Sequence, residues 1–346
     1  MKIAITGGYG NIGISVIEEC LRRGHKVTVF DLDGDRSRKF ARRYSKKNVR
    51  TVLGDIRKYS DVHGAVAGQD AVIHLAAILP PLSDRNPGLC REVNVSGIEN
   101  ILKAIKAEGN TAALVEVSSA SVMGPTQTQA PPVRPDDLVA ATDTYSTTKI
   151  EAERLVEESG IRHCILRLAA VLPTNIYIKY FLNMIKVMFD MPLSARCEIV
   201  LDIDVAHALV SAAESLAGSL QGGYLQGGAL CGSALCGRRG FIAGGGNQGC
   251  QLTNGAMLRA VFAQVGLPFP REELFTHDIN GYYLDWYDTE EIQSLLKYQN
   301  HSFAQWKGII EQKLGPYRPL ITLLNRPILK WLEKQSRHGG ARSFHP

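Results

Sequence analysis

A glycine-rich turn closing one strand, an acidic residue closing the next, and a strand–helix rhythm kept up to about residue 172 predict the fold class. They predict a doubly wound, mostly parallel α/β sheet with a smaller C-terminal lobe.

The turn lies in the stretch Lys2 to Gly13. An apolar run, Ile3 to Ile5, breaks at Thr6 into glycines at 7, 8, 10 and 13. From Ile12 apolar residues recur at helical spacing through Val16, Ile17 and Cys20/Leu21 until Gly24. A strand that turns so tightly into a helix needs glycine where φ is positive or where a ligand meets bare backbone. The helix start offers unpaired N–H groups and a partial positive charge, which suits a pyrophosphate. The second strand, His25 to Phe30, ends on Asp31, where a Rossmann-type dinucleotide site carries its ribose-binding carboxylate. The residues expected at the dinucleotide here are Gly7, Gly10, Asn11, Ile12, Gly13 and Asp31.

The remaining elements follow in order. A polar, basic segment to Lys47 reads as a helix with a solvated face, and Val49 to Leu53 as a strand entering Gly54-Asp55-Ile56. A weak helix, Tyr59 to Val66, leads to the strand Ala71 to Leu75 and then Ala76-Ala77. Pro80, Pro81 and Pro87 mark a loop. A helix from about Leu89 to Ala107 precedes the strand Ala112 to Val117, which ends in Ser118-Ser119-Ala120-Ser121. A proline-rich loop, Gly124 to Pro135, precedes a helix from about Thr144 to Glu158, and the strand Cys164 to Leu168 ends the regular part. Beyond Pro173 helices are expected over Ile176 to Phe189, Asp202 to Leu216 and Thr253 to Val265, with a strand at Phe241 to Ala243. Asp288-Thr289 caps a further helix. Residues 222–237, low in complexity, read as a surface insertion. The expected domains are 1–172, with about 200–245 returning to it, a lobe over 173–310 and a tail over 311–346.

Composition narrows the class. A 45% hydrophobic content suits a folded chain, and no apolar run approaches the ~20 residues that span a bilayer. The chain opens directly on a core strand, so no leader is expected. Seven cysteines, scattered at 20, 90, 164, 197, 231, 236 and 250, do not form a disulfide framework, and cytoplasmic is the expected compartment. Cys231 and Cys236 lack a nearby histidine or second pair, so no metal is expected. From Lys307 onward eight Lys/Arg face two Glu, a net of +6, leaving −1 for the rest of a chain whose total is +5. The fold itself therefore does not read as a nucleic-acid binder. In the tail, Leu320 to Leu332 with Arg318, Lys330, Lys334 and Arg337 fits a basic amphipathic helix. Packing of that helix on the lobe or on a subunit partner is favoured over contact with an anionic membrane surface.

Three residues carry chemistry. Ser119 ends a strand, and Tyr145 and Lys149, at i and i+4, share one helix face. A free phenol, with a pKa of about 10, is a weak base at neutral pH. A neighbouring ammonium favours the phenolate, and a nicotinamide cation adds to that. Tyr145 can then take a proton from a substrate hydroxyl as hydride leaves the carbon, with Ser119 holding the oxygen.

These motifs, in this order, resemble the extended short-chain dehydrogenases/reductases of the NAD-dependent epimerase/dehydratase type. They are Thr6 to Gly13, Asp31, Gly54-Asp55-Ile56, His74-Leu-Ala-Ala77, Asn94-Val-Ser-Gly97, Ser118 to Gly124, Tyr145 to Lys149, Leu166-Arg-Leu168 and Asp204-Val-Ala206. The resemblance implies Ser119, Tyr145 and Lys149 as catalytic residues, with Tyr145 and Lys149 also reaching the cofactor. It implies Asp55 and Ile56 at the adenine, Leu75, Ala76 and Ala77 along the nicotinamide channel, and Asn94 supporting the cofactor or the catalytic helix. Asp31 speaks for NAD over NADP; Arg36 and Arg38 nearby are accompanied by Asp33 and Asp35. A homodimer and a small-molecule substrate are family expectations. Ala169-Ala170 stand where sugar-nucleotide enzymes often carry an aromatic–Asn pair, and only Arg196 lies near the expected diphosphate arginine. The function expected is hydride transfer at a secondary alcohol or ketone, with a sugar derivative among the candidate substrates. The alternatives are a dehydrogenase/reductase of a sterol- or flavonoid-like alcohol with exchangeable cofactor, and a non-catalytic dinucleotide-binding regulator.

Overall fold

The computed structural model describes residues 1–175, 187–218, 233–237 and 239–338. Its main sheet has seven strands in the order β3–β2–β1–β4–β5–β6–β9. They are β1 (Lys2–Thr6), β2 (Lys26–Asp31), β3 (Val49–Leu53), β4 (Ala71–His74), β5 (Ala113–Ser119), β6 (His163–Leu168) and β9 (Phe241–Ala243). Every neighbouring pair is parallel. The predicted Rossmann-type fold class is therefore observed. The strand order reverses between β1 and β4, and the carboxyl ends of the strands open a crevice there.

Burial on both faces explains the unbroken apolar runs of the strands, since Ile3, Ala4, Ile5, Ala71, Val72 and Ile73 are fully buried. One core lies between the sheet and the helices α1 (Asn11–Arg22) and Asp202–Gly218. The other lies under α3 (Tyr59–Val66), α6 (Gly97–Ala107) and α7 (Thr144–Glu157). Helix α2 (Asp35–Tyr44) completes the β2–β3 crossover, and the short helices α4 (Leu82–Arg85) and α5 (Pro87–Arg91) follow β4.

Two expectations are corrected. The helix expected from Leu89 to Ala107 is not uniform: a π-helical turn, Glu92–Ser96, separates α5 from α6. The widened turn carries Asn94, whose side chain is committed inward. The regular part does not end at Leu168. β7 (Ala170–Leu172) leaves the main sheet at once and pairs parallel with β8 (Arg196–Leu201), which pairs antiparallel with β10 (Gln251–Thr253). Charged residues at 196 and 198 hide β8 from an apolar-run search. Yet Glu198 is fully buried, accepting from the backbone N–H of Gly246 and Tyr287 and from Gln251 Nε2.

The second sheet backs the lobe core, built around Phe189, Phe275, Tyr282 and Trp306. In the tail, Arg318–Leu323 and Asn325–Glu333 are separate helices, each with a proline in its first turns. Ile321, Ile328 and Leu332 pack on the lobe core. The helix expected over 176–189 and the segment 222–237 fall mostly outside the described residues, Cys231 included. The six described cysteines are free thiols, and no described helix is long and apolar enough to cross a membrane.

Candidate active site

A cleft of about 770 Å³ occupies the crevice at the strand reversal. One end is backbone. Gly7 has φ +66°, and a Cβ there would stand 2.9 Å from the Ala76 backbone; one on Gly13 would stand 2.6 Å from the backbone of Gly8. Only glycine lets the turn close so tightly. Gly10 caps α1 without a side-chain acceptor, and the first-turn residues Asn11, Ile12 and Gly13 line the cleft with it. These features fit the pyrophosphate of a dinucleotide.

Asp31 lines the cleft at the end of β2. Its carboxylate accepts from the N–H of Tyr9 and of Leu32, both at 2.8 Å, and from Ser37 Oγ at 3.2 Å. Burial still lifts it above its ordinary value. Arg38 is held by Asp33 at 2.8 and 2.9 Å. Asp55, Ile56, Leu75, Ala76 and Ala77 also line the cleft. The Asp55 carboxylate is gripped by Arg57, which keeps it below its ordinary value.

Ser119, Tyr145 and Lys149 stand on the same cleft wall. Helix α7 begins at Thr144 because Asp143 and Ser146 form a reciprocal capping box. That start puts Tyr145 and Lys149 against β5. Ser119 Oγ accepts from Ser121 N at 3.2 Å and from Ser121 Oγ at 2.9 Å, and Lys149 Nζ donates to Val117 O at 2.6 Å and to Glu116 Oε1 at 3.2 Å. The nearby Lys149 ammonium and Ser119 hydroxyl pull the phenol down. Burial outweighs both, however, and the Tyr145 pKa lies above its ordinary value. The neighbouring Ser118 also lines the cleft, and its buried Oγ makes no hydrogen bond.

Of the two roles expected of Asn94, its hydrogen bonds match the support of the catalytic helix. Asn94 is 1% exposed and does not line the cleft. Its Oδ1 accepts from Ile78 N at 2.7 Å, while Nδ2 donates to Ile78 O at 3.1 Å and to Thr148 Oγ1 at 3.0 Å. It straps the loop after β4 to α7. Conversely, sequence reasoning passed over Glu116, a fully buried carboxylate bonded to Lys149. The available signal was one charged residue inside the apolar strand Ala113-Leu-Val-Glu-Val117.

The cleft also has an apolar lining, supplied by Ile78, Leu79, Leu82, Leu89, Val93 and Val171. Arg196 does not line the cleft. Its guanidinium is bound to Asp285 at 2.6 and 2.9 Å and to the carbonyls of Gln127 and Gln129.

Residues 4–187 match the 3-beta hydroxysteroid dehydrogenase/isomerase family. The chain belongs to that family. Among similar proteins is a 3-beta-hydroxysteroid dehydrogenase of Mycolicibacterium neoaurum, 27% identical over 239 residues, which are 62% of this chain and 61% of that protein. The human decarboxylating sterol-4-alpha-carboxylate 3-dehydrogenase is 33% identical over 122 residues, 35% of this chain and 30% of that one. This family member thus spans less than two thirds of either relative's length. Similar solved structures reach further. The dTDP-glucose 4,6-dehydratase DesIV of Streptomyces venezuelae, a double mutant with NAD and DAU bound, superposes with TM-score 0.70 at 21% identity, over 96% of this chain and 100% of that one. The UDP-glucuronic acid 4-epimerase of Bacillus cereus, in complex with UDP-glucuronic acid and NAD, gives 0.69 at 19% identity, over 90% and 97%. At such identities the likeness is one of fold.

Proposed function

We propose that this chain is an NAD-dependent oxidoreductase of the epimerase/dehydratase type that transfers hydride at a secondary alcohol or ketone. The observation that carries it is that Ser119, Tyr145 and Lys149 line the same cleft as the glycine turn and Asp31. Bound NAD would supply the hydride acceptor and a positive charge, and the turn residues Gly7 to Gly13, with Asp31, Asp55 and Ile56, would hold it. The residues themselves manage one proton. Ser119 donates to the substrate oxygen, Tyr145 takes the hydroxyl proton on oxidation and returns it on reduction, and Lys149 stabilises the phenolate.

An apolar lining without the Arg196 guanidinium favours an alicyclic, sterol-like alcohol, in keeping with the family. A second reading, an internal redox cycle on a sugar derivative with retained NAD, draws on the fold shared with the dehydratase and the epimerase. Denaturing the purified protein and identifying released nucleotide separates the two. An empty protein that binds NAD reversibly and forms NADH with 3β-hydroxysteroids is the expected result. Stoichiometric retained NAD with no NADH formed would favour the second reading. No binding of NAD or NADP would overturn both.

The free thiols support a cytoplasmic location. A homodimer is proposed from the family resemblance alone, and sedimentation of the purified chain tests it.

A further inference from the structure

Hydride transfer makes no use of a polar line that crosses three neighbouring strands beneath the cleft. Thr6, His74 and Glu116 are register partners on β1, β4 and β5. None of the three is more than 1% exposed. Thr6 Oγ1 accepts from Ala76 N at 3.3 Å, so its own proton is free for His74 Nδ1, 2.6 Å away. His74 then carries its proton on Nε2, which lies 4.0 Å from Glu116 Oε2. That oxygen makes no hydrogen bond, while the other, Oε1, accepts from Lys149.

A carboxylate in such a place is costly, and a leucine or glutamine would fill the strand at less cost. The charged groups facing it are few. Lys149 and Glu153 come from α7, and Glu153 is itself held by Arg167 at 2.7 Å. Burial holds His74 down to about 3, so it is neutral, and lifts Glu116 to about 7. The Lys149 ammonium therefore sits between two acids, Glu116 and Tyr145, each of which opposes ionisation of the other.

We propose that Glu116 is a positioning residue, anchoring the Lys149 ammonium as its counter-charge and so keeping Tyr145 protonated, ready to act as the acid toward a ketone, over a wider pH range. When Glu116 holds a proton, the Lys149 charge acts on the phenol alone. When Glu116 is ionised, that charge is neutralised and the phenol keeps its proton. The inference rests on Tyr145 being the acid/base, but its test does not require turnover.

The test follows Tyr145 ionisation by the ultraviolet difference absorbance of tyrosinate, each protein referenced to its own Tyr145→Phe version. Glu116→Gln should show about tenfold more phenolate than the wild type at a given alkaline pH. Glu116→Asp, which restores the charge, should return the wild-type curve. A Glu116→Gln curve that coincides with the wild type or lies to its alkaline side overturns the proposal. Where a substrate is in hand, the limb of kcat/KM for alcohol oxidation should move to lower pH in Glu116→Gln. Turnover with an unmoved titration sinks Glu116 and leaves the oxidoreductase standing; a moved titration without turnover does the reverse. Should Glu116→Gln not fold, carboxyl ¹³C resonances of the wild type and of Lys149→Met decide. Glu116 should keep its proton past the ordinary carboxylate range in the wild type and further still in Lys149→Met. A Glu116 titration that Lys149→Met leaves unmoved overturns the proposal.

Discussion

The two ends of the cleft are built on different principles. At the end proposed for the dinucleotide the wall is main chain: a positive-φ Gly7, a Gly13 pressed against Gly8, and an Asp31 carboxylate fixed by three donors. Around the apolar lining, where the substrate is proposed to sit, it is side-chain hydrocarbon, and Leu79 and Leu82 there are 56% and 49% exposed. Backbone geometry admits few residues at each position, whereas apolar area is supplied by many. The first end should fail sharply when altered, and the second should yield by degrees.

The largest effect is expected where the two ends meet. Tyr145→Phe removes one hydroxyl from a buried ring and should lower kcat by about 10³ while leaving the dinucleotide Kd within about twofold. Steady-state rates and a binding titration on the same preparation check this. An unchanged kcat would remove Tyr145 from the chemistry.

Next come one change at each end. Gly13→Ala inserts a Cβ 2.6 Å from the Gly8 backbone, which has nowhere to move inside the turn. We expect a loss of at least ~2 kcal/mol in denaturant unfolding and of about a hundredfold in NAD affinity. Leu89→Ala at the other end should leave NAD affinity alone and raise KM for a sterol-like substrate about tenfold, as burying a leucine contributes about 1.5–3 kcal/mol. Equal losses of NAD binding in both variants would erase the contrast. A smaller change, Asp31→Ala, should reduce the preference for NAD over NADP by about tenfold, measured as the ratio of the two Kd values.

The same contrast explains what the sequence made legible. The glycine turn, Asp31 and the Tyr145–Lys149 spacing are positional constraints, and constraints of that kind leave a pattern in a single chain. Six strands of the main sheet were readable because burial on both faces demands apolar runs, and the half-buried edge strand β3 through Val49, Val52 and Leu53. The second sheet was not, since β8 carries Arg196 and Glu198, whose partners Asp285, Gly246, Gln251 and Tyr287 are distant in sequence. Asn94 was legible as a motif residue but not in its orientation, which depends on the π-helical turn that bears it. Glu116 was visible as a lone charge in an apolar strand. Its meaning lay in neighbours from β4 and α7 that only the fold assembles.

The last expectation concerns stability and isolates that residue. Burial raises the Glu116 carboxyl in the folded chain to about 7, above the ~4.3 of an exposed glutamate. The folded state therefore binds the proton more tightly than the unfolded state does. The stability tied to that proton is fully present below about pH 4 and is lost as pH rises through about 7. Glu116→Gln has no such proton to lose. In urea unfolding followed across this window, its stability relative to the wild type should rise by about 1.4 kcal/mol per pH unit and level off above neutrality. His74, whose pKa burial lowers to about 3, acts with the opposite sign: its contribution is present above about pH 6.5 and lost on acidification. Because His74 is retained in both proteins, it cancels from their difference to the extent that the two groups titrate independently. A flat difference between variant and wild type over the whole window would mean that Glu116 stays ionised throughout, and would turn the buried line on β1, β4 and β5 into a plain ion pair with Lys149.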